Sequence, residues 1–458
     1  MSRKSRMPVS AEELYAWHAR PGAFERLIPP WEDIRAITRT GGLADGAETC
    51  FELHKGPLAI AWHARHEDHR PAEGFTDVQI TGPFAAWRHV HRFFKNSPDT
   101  SALEDVITYA LPGGPLGDWL AGPSIHASLE RTLAFRHRRT RVDLERHARF
   151  AARGPRRVLV TGASGLVGSA LVSYLSTAGH EVVRLVRRAA GPGEIAWNPE
   201  RGELEPRRLE GFDAVVHLAG ESIAAGRWSV ERKARILESR ALGTALLARA
   251  LAECERPPEV LIAASAIGIY GDRPAEPVDE DSPSGDGFLP DVCRRWEAAT
   301  EPARAAGIRV VNLRLGVVLS PKGGALSKLL PPFQLGLGGP IGDGRQGMSW
   351  IALDDVLGAV EHAIFTPALV GPVNATAPMP ESNAAFARDL GTVLGRPAFM
   401  PLPAPIIEAA FGEMGRALLL EGARVLPTRL LASGFVFTCP SLPQALRSEL
   451  GLEVDGSA

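Results

Sequence analysis

Apolar and polar positions follow one rhythm over the first third of the chain and another over the rest. Between about 49 and 111 short runs are divided by turn residues, notably Gly56-Pro57, Gly82-Pro83 and the stretch 95–100, which predicts strands. Segments 75–81, 86–94 and 103–111 read as successive antiparallel ones. Ahead of them, Ser10 to Glu13 has the S-x-x-E form of a capping box. It opens a short helix that carries Leu14 and Trp17 and stops at Pro21-Gly22. A second helical piece surrounds 24–27. After Pro123, Ile125, Leu129 and Leu133 mark a long helix that turns strongly basic over 136–149. This basic run reads as a solvated face leading into a linker, because no aromatic platform for bases is interleaved with its arginines.

Beyond residue 156 strands and helices alternate. Val158, Leu159 and Val160 form an unbroken apolar run, as a parallel strand buried on both faces requires. Gly162, Gly165 and Gly168 follow, then Ala170, Leu171, Tyr174, Leu175 and Ala178 at helical spacing, Gly179 as a stop, and a second apolar strand over 181–186. Further strands are predicted at 194–197, 214–218, 260–264 and 310–315. Ser229 caps a helix whose charges Glu231, Arg232, Lys233 and Arg235 read as solvated. The order describes an α/β fold, a doubly wound parallel (Rossmann) sheet, preceded by an α+β domain. Residues 321–348, rich in glycine and proline and holding Lys322, Gln334, Arg345 and Gln346, read as loops and short elements of a substrate lid. The boundary falls at 149–155, which gives domains of about 1–150 and 156–455.

Composition narrows the partners. At 458 residues the chain is too long for one core, and its net charge of −2 supplies no basic field for nucleic acid or an anionic membrane. Small molecules are the expected partners. Cys50, Cys254, Cys293 and Cys439 are scattered without metal-site or disulfide spacing, as a reducing cytoplasm permits. The basic start MSRKSRMPVS is followed by no apolar signal core, and no run long enough to span a membrane occurs.

The glycines after the first strand carry the chemistry. Gly162 permits the tight turn, Gly165 lets a pyrophosphate approach the backbone, and Gly168 lets the helix pack on the strand. With Ser164, Leu166 and Val167 they form a turn whose helix N-terminus offers free N–H groups to phosphate. Arg187 and Arg188 stand where an acidic residue would bind the ribose of NAD, so the reading is NADP, with the arginines on its 2′-phosphate; two solvated arginines are the alternative. Asn198 closes the third strand on the adenine side. Leu218, Ala219, Gly220 and Glu221 lie at the carboxyl edge of the fourth, where ligands of doubly wound sheets bind, although Glu221 also reads as an ordinary loop carboxylate.

The turn and the segments HLAGESI, SAIGIYG, DEDSP, RLGVVLSPKGGAL, FQLGLGGPIGDGRQ and SWIALDD resemble the epimerase-family branch of the extended and atypical short-chain dehydrogenase/reductase superfamily, over about 156–447. The resemblance implies hydride transfer on a small hydroxyl or carbonyl substrate, a small C-terminal substrate subdomain over about 397–450, and Asp354 and Asp355 as caps of the helix after SWIALDD. It also implies that Ser265 polarises the substrate at the end of the fifth strand. The superfamily's Y-x-x-x-K pair is absent: none of the four tyrosines has a lysine four residues on. Tyr270 is then the hydroxyl placed to approach a nicotinamide, and a packed turn tyrosine is its plain alternative. Loss of the pair equally suits a protein that holds NADPH without turnover and reports on it.

Two short helices, an antiparallel sheet and a closing helix make the first 150 residues resemble the START-like helix-grip superfamily, which implies an apolar ligand between sheet and helix. Trp87, His89 and His91 alternate on one face of a strand, with His63, His66 and His69 nearby in sequence. No cysteine accompanies them and their spacing matches no zinc pattern. They read as hydrogen-bonded structural histidines or polar contacts to a cavity ligand rather than as metal ligands.

Overall fold

The structure is a computed structural model describing residues 1–452. The expected end of the second domain, residue 455, lies outside the described residues. The chain divides into two compact units. One is Met1–Pro155 with Ser176–Gly179 and the tail from Leu450; the other is Arg156–Leu175 with His180–Glu449.

In the first unit seven strands, β1 (Ser2–Met7), β2 (Asp33–Arg39), β3 (Glu48–Lys55), β4 (Leu58–Arg70), β5 (Gly74–Thr81), β6 (Ala86–Ser97) and β7 (Thr100–Ala110), form an antiparallel sheet in the order β1-β7-β6-β5-β4-β3-β2. Helices α1 (Ala11–Ala19) and α2 (Ala23–Leu27) follow β1, and the 34-residue α3 (Pro115–Ala148) follows β7. Ser10 caps α1, its hydroxyl accepting from the Glu13 N–H at 3.1 Å. Glu13 does not complete a capping box; it pairs with Arg20 instead. Met7, Leu14, Trp17, Phe75, Phe93, Leu103 and Leu144 share one core, which joins α1 and α3 to the sheet.

The polar start SRKSRM forms the edge strand β1. Two expectations for this unit need correcting. The long helix begins at Pro115, where the missing N–H costs nothing, and runs through Pro123. Its basic stretch is no solvated face. Arg26 pairs bidentately with Asp143 at 2.8 and 2.6 Å, with both side chains buried, and Arg146 is buried too.

The second unit holds β8 (Arg157–Thr161), β9 (Glu181–Val186), β10 (Glu194–Ala196), β11 (Ala214–His217) and β12 (Val260–Ala266). Then come β13 (Arg273–Val278), β14 (Arg309–Leu315), β15 (Val317–Leu319), β16 (Gly347–Met348), β17 (Trp350–Ala352) and β18 (Gly371–Ala375). Its main sheet runs β10-β9-β8-β11-β12-β14-β18, parallel throughout. This is the Rossmann order, reversing between β8 and β11, and β18 adds a seventh strand that the sequence left unmarked. Helices α4 (Leu166–Thr177), α5 (Val230–Ala252), α6 (Phe288–Ala298), α7 (Glu301–Ala305), α8 (Gly324–Gln334) and α9 (Leu353–Phe365) complete the units used below.

The segment expected as loops and short elements contains the 11-residue α8, whose Leu326, Leu330 and Phe333 recur at helical spacing and are buried; Pro331 and Pro332 disguise the pattern. Nor do Asp354 and Asp355 cap α9, which has Ala352 at that position. Buried Asp355 instead accepts from the Thr438 N–H and hydroxyl and from the Cys439 N–H at 2.7–3.1 Å, tying the C-terminal segment down.

Candidate functional site

The first βα turn sits at the point where the strand order reverses. Gly162 takes φ +68°, and a Cβ there would lie 2.7 Å from the Leu218 carbonyl at the end of β11. A Cβ on Gly168 would lie 2.2 Å from the Gly162 oxygen, so any side chain would push α4 off the turn. Gly165 is exposed, with only the Gly162 oxygen within reach at 3.3 Å. Ser164 is exposed, and Leu166 and Val167 form the first turn of α4, where N–H groups lack intrahelical partners.

A buried chain that the sequence did not announce fixes this turn against β11. Thr161 Oγ1 accepts from the Leu218 and Ala219 N–H groups at 3.1 and 3.2 Å and lies 2.7 Å from His217 Nδ1; His217 Nε2 lies 2.9 Å from Thr244 Oγ1 on α5. Burial pushes the His217 imidazole down to about 4, so it is neutral. Thr161, accepting twice, donates its proton to Nδ1, and Nε2–H goes to Thr244.

Arg187 and Arg188 lie exposed at the end of β9. Arg188 is already engaged: Glu194 accepts from it bidentately at 2.7 Å on both arms, accepts from the Gly191 N–H at 2.9 Å, and stands 3.2 Å from Arg184. The bonds from Arg188 and Gly191 hold the Glu194 carboxyl below its ordinary range. Asn198 uses its side-chain oxygen in a local turn, accepting from the Arg201 N–H at 3.2 Å. Glu221 is not a free loop carboxylate. It pairs with Arg232 of α5, and Arg235 stands 3.7 Å away, so the face of α5 expected to be solvated is partly spent on the edge of the sheet.

Ser265 and Tyr270 occupy a different environment from the one expected. Register places Ser265 of β12 beside Arg314 of β14, and Arg314 beside Asn374 of β18, so the three stand in one row on one face. Ser265 donates to Glu297 Oε1 of α6 at 2.7 Å, and Arg314 grips both oxygens of that carboxylate at 2.8 and 3.0 Å. The third arm of Arg314 donates to the Tyr270 hydroxyl at 2.8 Å, and that hydroxyl donates to Asn374 Oδ1 at 2.8 Å. Asn374 in turn donates its backbone N–H to Glu280 at 2.9 Å. Ser265 is 1 % and Tyr270 0 % exposed. Burial raises the Tyr270 pKa, and the facing Arg314 offsets this only in part; burial opposes the Arg314 charge, but Glu297 and Tyr270 outweigh it and the net shift is upward.

The hydroxyl expected to approach a nicotinamide is thus enclosed, because the turn after β12 folds Tyr270 inward against Arg314. Helix α6, which the superfamily uses for its acid and lysine, presents Glu297 here. Its Cys293 is buried, with the thiol pushed up to about 12 by that burial. Arg314 lies in the strand predicted at 310–315, but strand pairing was needed to bring Asn374 beside it and the packing of α6 to bring Glu297 to it. Tyr270→Phe removes one proton from this chain and leaves Asn374 and Arg314 each short of a partner. It should lower unfolding stability by about 1–3 kcal/mol in denaturant titration, with NADPH affinity unchanged.

Comparison with known proteins agrees with this architecture. The family model described as NAD dependent epimerase/dehydratase family matches residues 158–373, and one described as a domain of unknown function matches 402–449. An epimerase family protein of Mycobacterium bovis is 46% identical over 290 residues, 63% of this chain and 96% of that protein; a human one is 42% identical over 296 residues, 64% of this chain and 98% of the relative. Among solved structures, a nucleoside-diphosphate sugar epimerase from Corynebacterium glutamicum is similar over 99% of this chain and 90% of its own, with TM-score 0.83 and 35% identity. A human epimerase family protein crystallised with NADPH covers 65% of this chain and 100% of its own, with TM-score 0.61 and 40% identity. Identity of this level along nearly the whole of these relatives shows that the chain belongs to the NAD-dependent epimerase/dehydratase family.

Proposed function

We propose that the second unit binds NADP(H) across the reversal between β8 and β11 and moves hydride between it and a small hydroxyl or carbonyl compound. The observation that carries this reading is the turn itself: Gly162 and Gly168 leave no room for a Cβ, while Gly165 and the first turn of α4 face outward, as a pyrophosphate seat requires. The human relative solved with NADPH supports the choice of cofactor. In this reading Ser164, Leu166 and Val167 contribute backbone to the phosphates, Arg187 and Arg188 meet the 2′-phosphate, and Asn198 borders the adenine. Leu218, Ala219, Gly220 and Glu221 line the edge beside the ribose and nicotinamide. Glu194 fixes the guanidinium of Arg188 and leaves Arg187 as the more mobile partner.

Ser265 and Tyr270 hold the floor of the site and take no proton from solvent in this state. That enclosure, together with the absent Y-x-x-x-K, favours a second reading in which NADPH is bound and sensed without turnover. For the first unit, about residues 1–150, the sheet and the closing α3 support a START-like helix-grip domain. A half-buried row of rings on its sheet, Trp62 against Phe51, Phe84 and Trp87 at centroid distances of 5.1–5.7 Å, would face an apolar ligand.

Fluorescence titration with NADPH and NADH tests the reading. The wild type should prefer NADPH by roughly tenfold or more, from charge-assisted bonds to the 2′-phosphate, and Arg187→Ala with Arg188→Ala should abolish the preference. Equal affinities in the wild type would overturn it. Tight NADPH binding with no oxidation across a panel of carbonyl substrates would select the sensing reading.

A further inference from the structure

The sheet of the first unit buries a cluster that plays no part in the site above. Cross-strand register pairs His66 with Asp77 and Asp77 with His89 across β4, β5 and β6, and pairs His91 with Asp105 across β6 and β7. All five side chains share one face, and His137 reaches them from α3. His89, His91, Asp105 and His137 are each no more than 6 % exposed.

Two kinds of contact occur here. Some are directed hydrogen bonds: His91 Nε2 lies 3.1 Å from Asp77 Oδ2, and His137 Nε2 lies 2.9 Å from Asp105 Oδ2. Others are close without direction. His91 Nδ1 lies 2.7 Å and His89 Nε2 3.3 Å from Asp105 Oδ1, yet all three atoms are buried with no hydrogen-bond partner, because the N–H vectors do not point at the oxygen. Three buried heteroatoms held in close ionic contact but without a directed hydrogen bond are costly as hydrogen-bonding groups. They are well placed as ligands, since atoms about 2.0–2.2 Å from a shared ion stand about 3 Å apart.

We propose that His89 Nε2, His91 Nδ1 and Asp105 Oδ1 hold one divalent transition-metal ion. Asp77 orients His91 through its other ring nitrogen and His137 orients Asp105 through its other oxygen, the carboxylate–histidine–metal arrangement in which outer partners fix the ligands. Asp77, His89 and His91 also bring one ligand atom each within 4.8 Å of one another, so the Asp77 carboxylate is near enough to enter the shell. Two imidazoles and carboxylate without sulfur suit zinc, cobalt or nickel rather than copper(I) or calcium. The ion would pin β6 to β7 beneath α3. The residue spacing concealed it because the ligands come from neighbouring strands and not from one loop.

The test uses the full-length protein, stripped with chelator and dialysed, then titrated with Zn²⁺ or Co²⁺. The expected result is about one equivalent bound per chain, with a higher melting temperature. His89→Gln and Asp105→Asn should each lower affinity at least tenfold and Asp77→Asn about 10–100-fold, while His126→Ala, on the exposed part of α3, should change nothing. X-ray absorption at bound Co²⁺ in the wild type should show imidazole nitrogen and oxygen without sulfur. This keeps the proposal decidable even if a variant fails to fold. Failure of the wild type to bind either ion, a sulfur-containing shell, or undiminished binding in folded His89→Gln would overturn it.

Discussion

Arg314→Met is expected to destabilise the second unit by about 3–5 kcal/mol, the cost of leaving a buried carboxylate without its cation. Arg314 and Glu297 are 9 % and 14 % exposed and joined by two bonds, and the same guanidinium also supports Tyr270. The loss therefore reaches both expected catalytic hydroxyls. Adding Glu297→Met should recover most of it, since an ion pair replaced whole by apolar side chains is often neutral. Denaturant unfolding of the two single variants and the double variant measures the coupling. Additive losses would mean that the pair is not the unit of the network.

Gly162→Val should cut NADPH affinity by roughly 100-fold or more, since about 1–3 kcal/mol of backbone strain at φ +68° adds to a Cβ 2.7 Å from the Leu218 carbonyl and displaces the phosphate seat. Fluorescence titration reads the affinity, and circular dichroism checks that the sheet survives. Retained affinity in a folded Gly162→Val would place the cofactor elsewhere.

The dinucleotide half was the more legible part of the sequence. The core of β8 is an uninterrupted apolar run and the turn's glycines are fixed by contact with backbone, so the stretch 157–168 could be read residue by residue. β18 escaped because GPVNA is short and only half apolar, being covered by its neighbours and not by its own pattern. The site was legible where it is local and obscure where it depends on register. Gly162 and Gly168 are local. The Ser265–Arg314–Asn374 row joins residues 49 and 60 positions apart, and nothing in the spacing of a hydroxyl, a guanidinium and an amide announces it. Tyr270 was read from its nearness in sequence to the carboxyl edge, whereas a single turn Ile267–Tyr270 is enough to direct it inward. The same limit applied in the first unit, where histidines spaced for strands converge only when the strands pair.

The most direct test of the account is a crystal structure of the complex with NADPH. It should place the pyrophosphate against the backbone of Gly162 to Gly168 and the 2′-phosphate within hydrogen-bond distance of Arg187, with the Tyr270 hydroxyl still bonded to Asn374 and Arg314. A pyrophosphate seated away from that turn, or a Tyr270 hydroxyl released toward the nicotinamide, would contradict it.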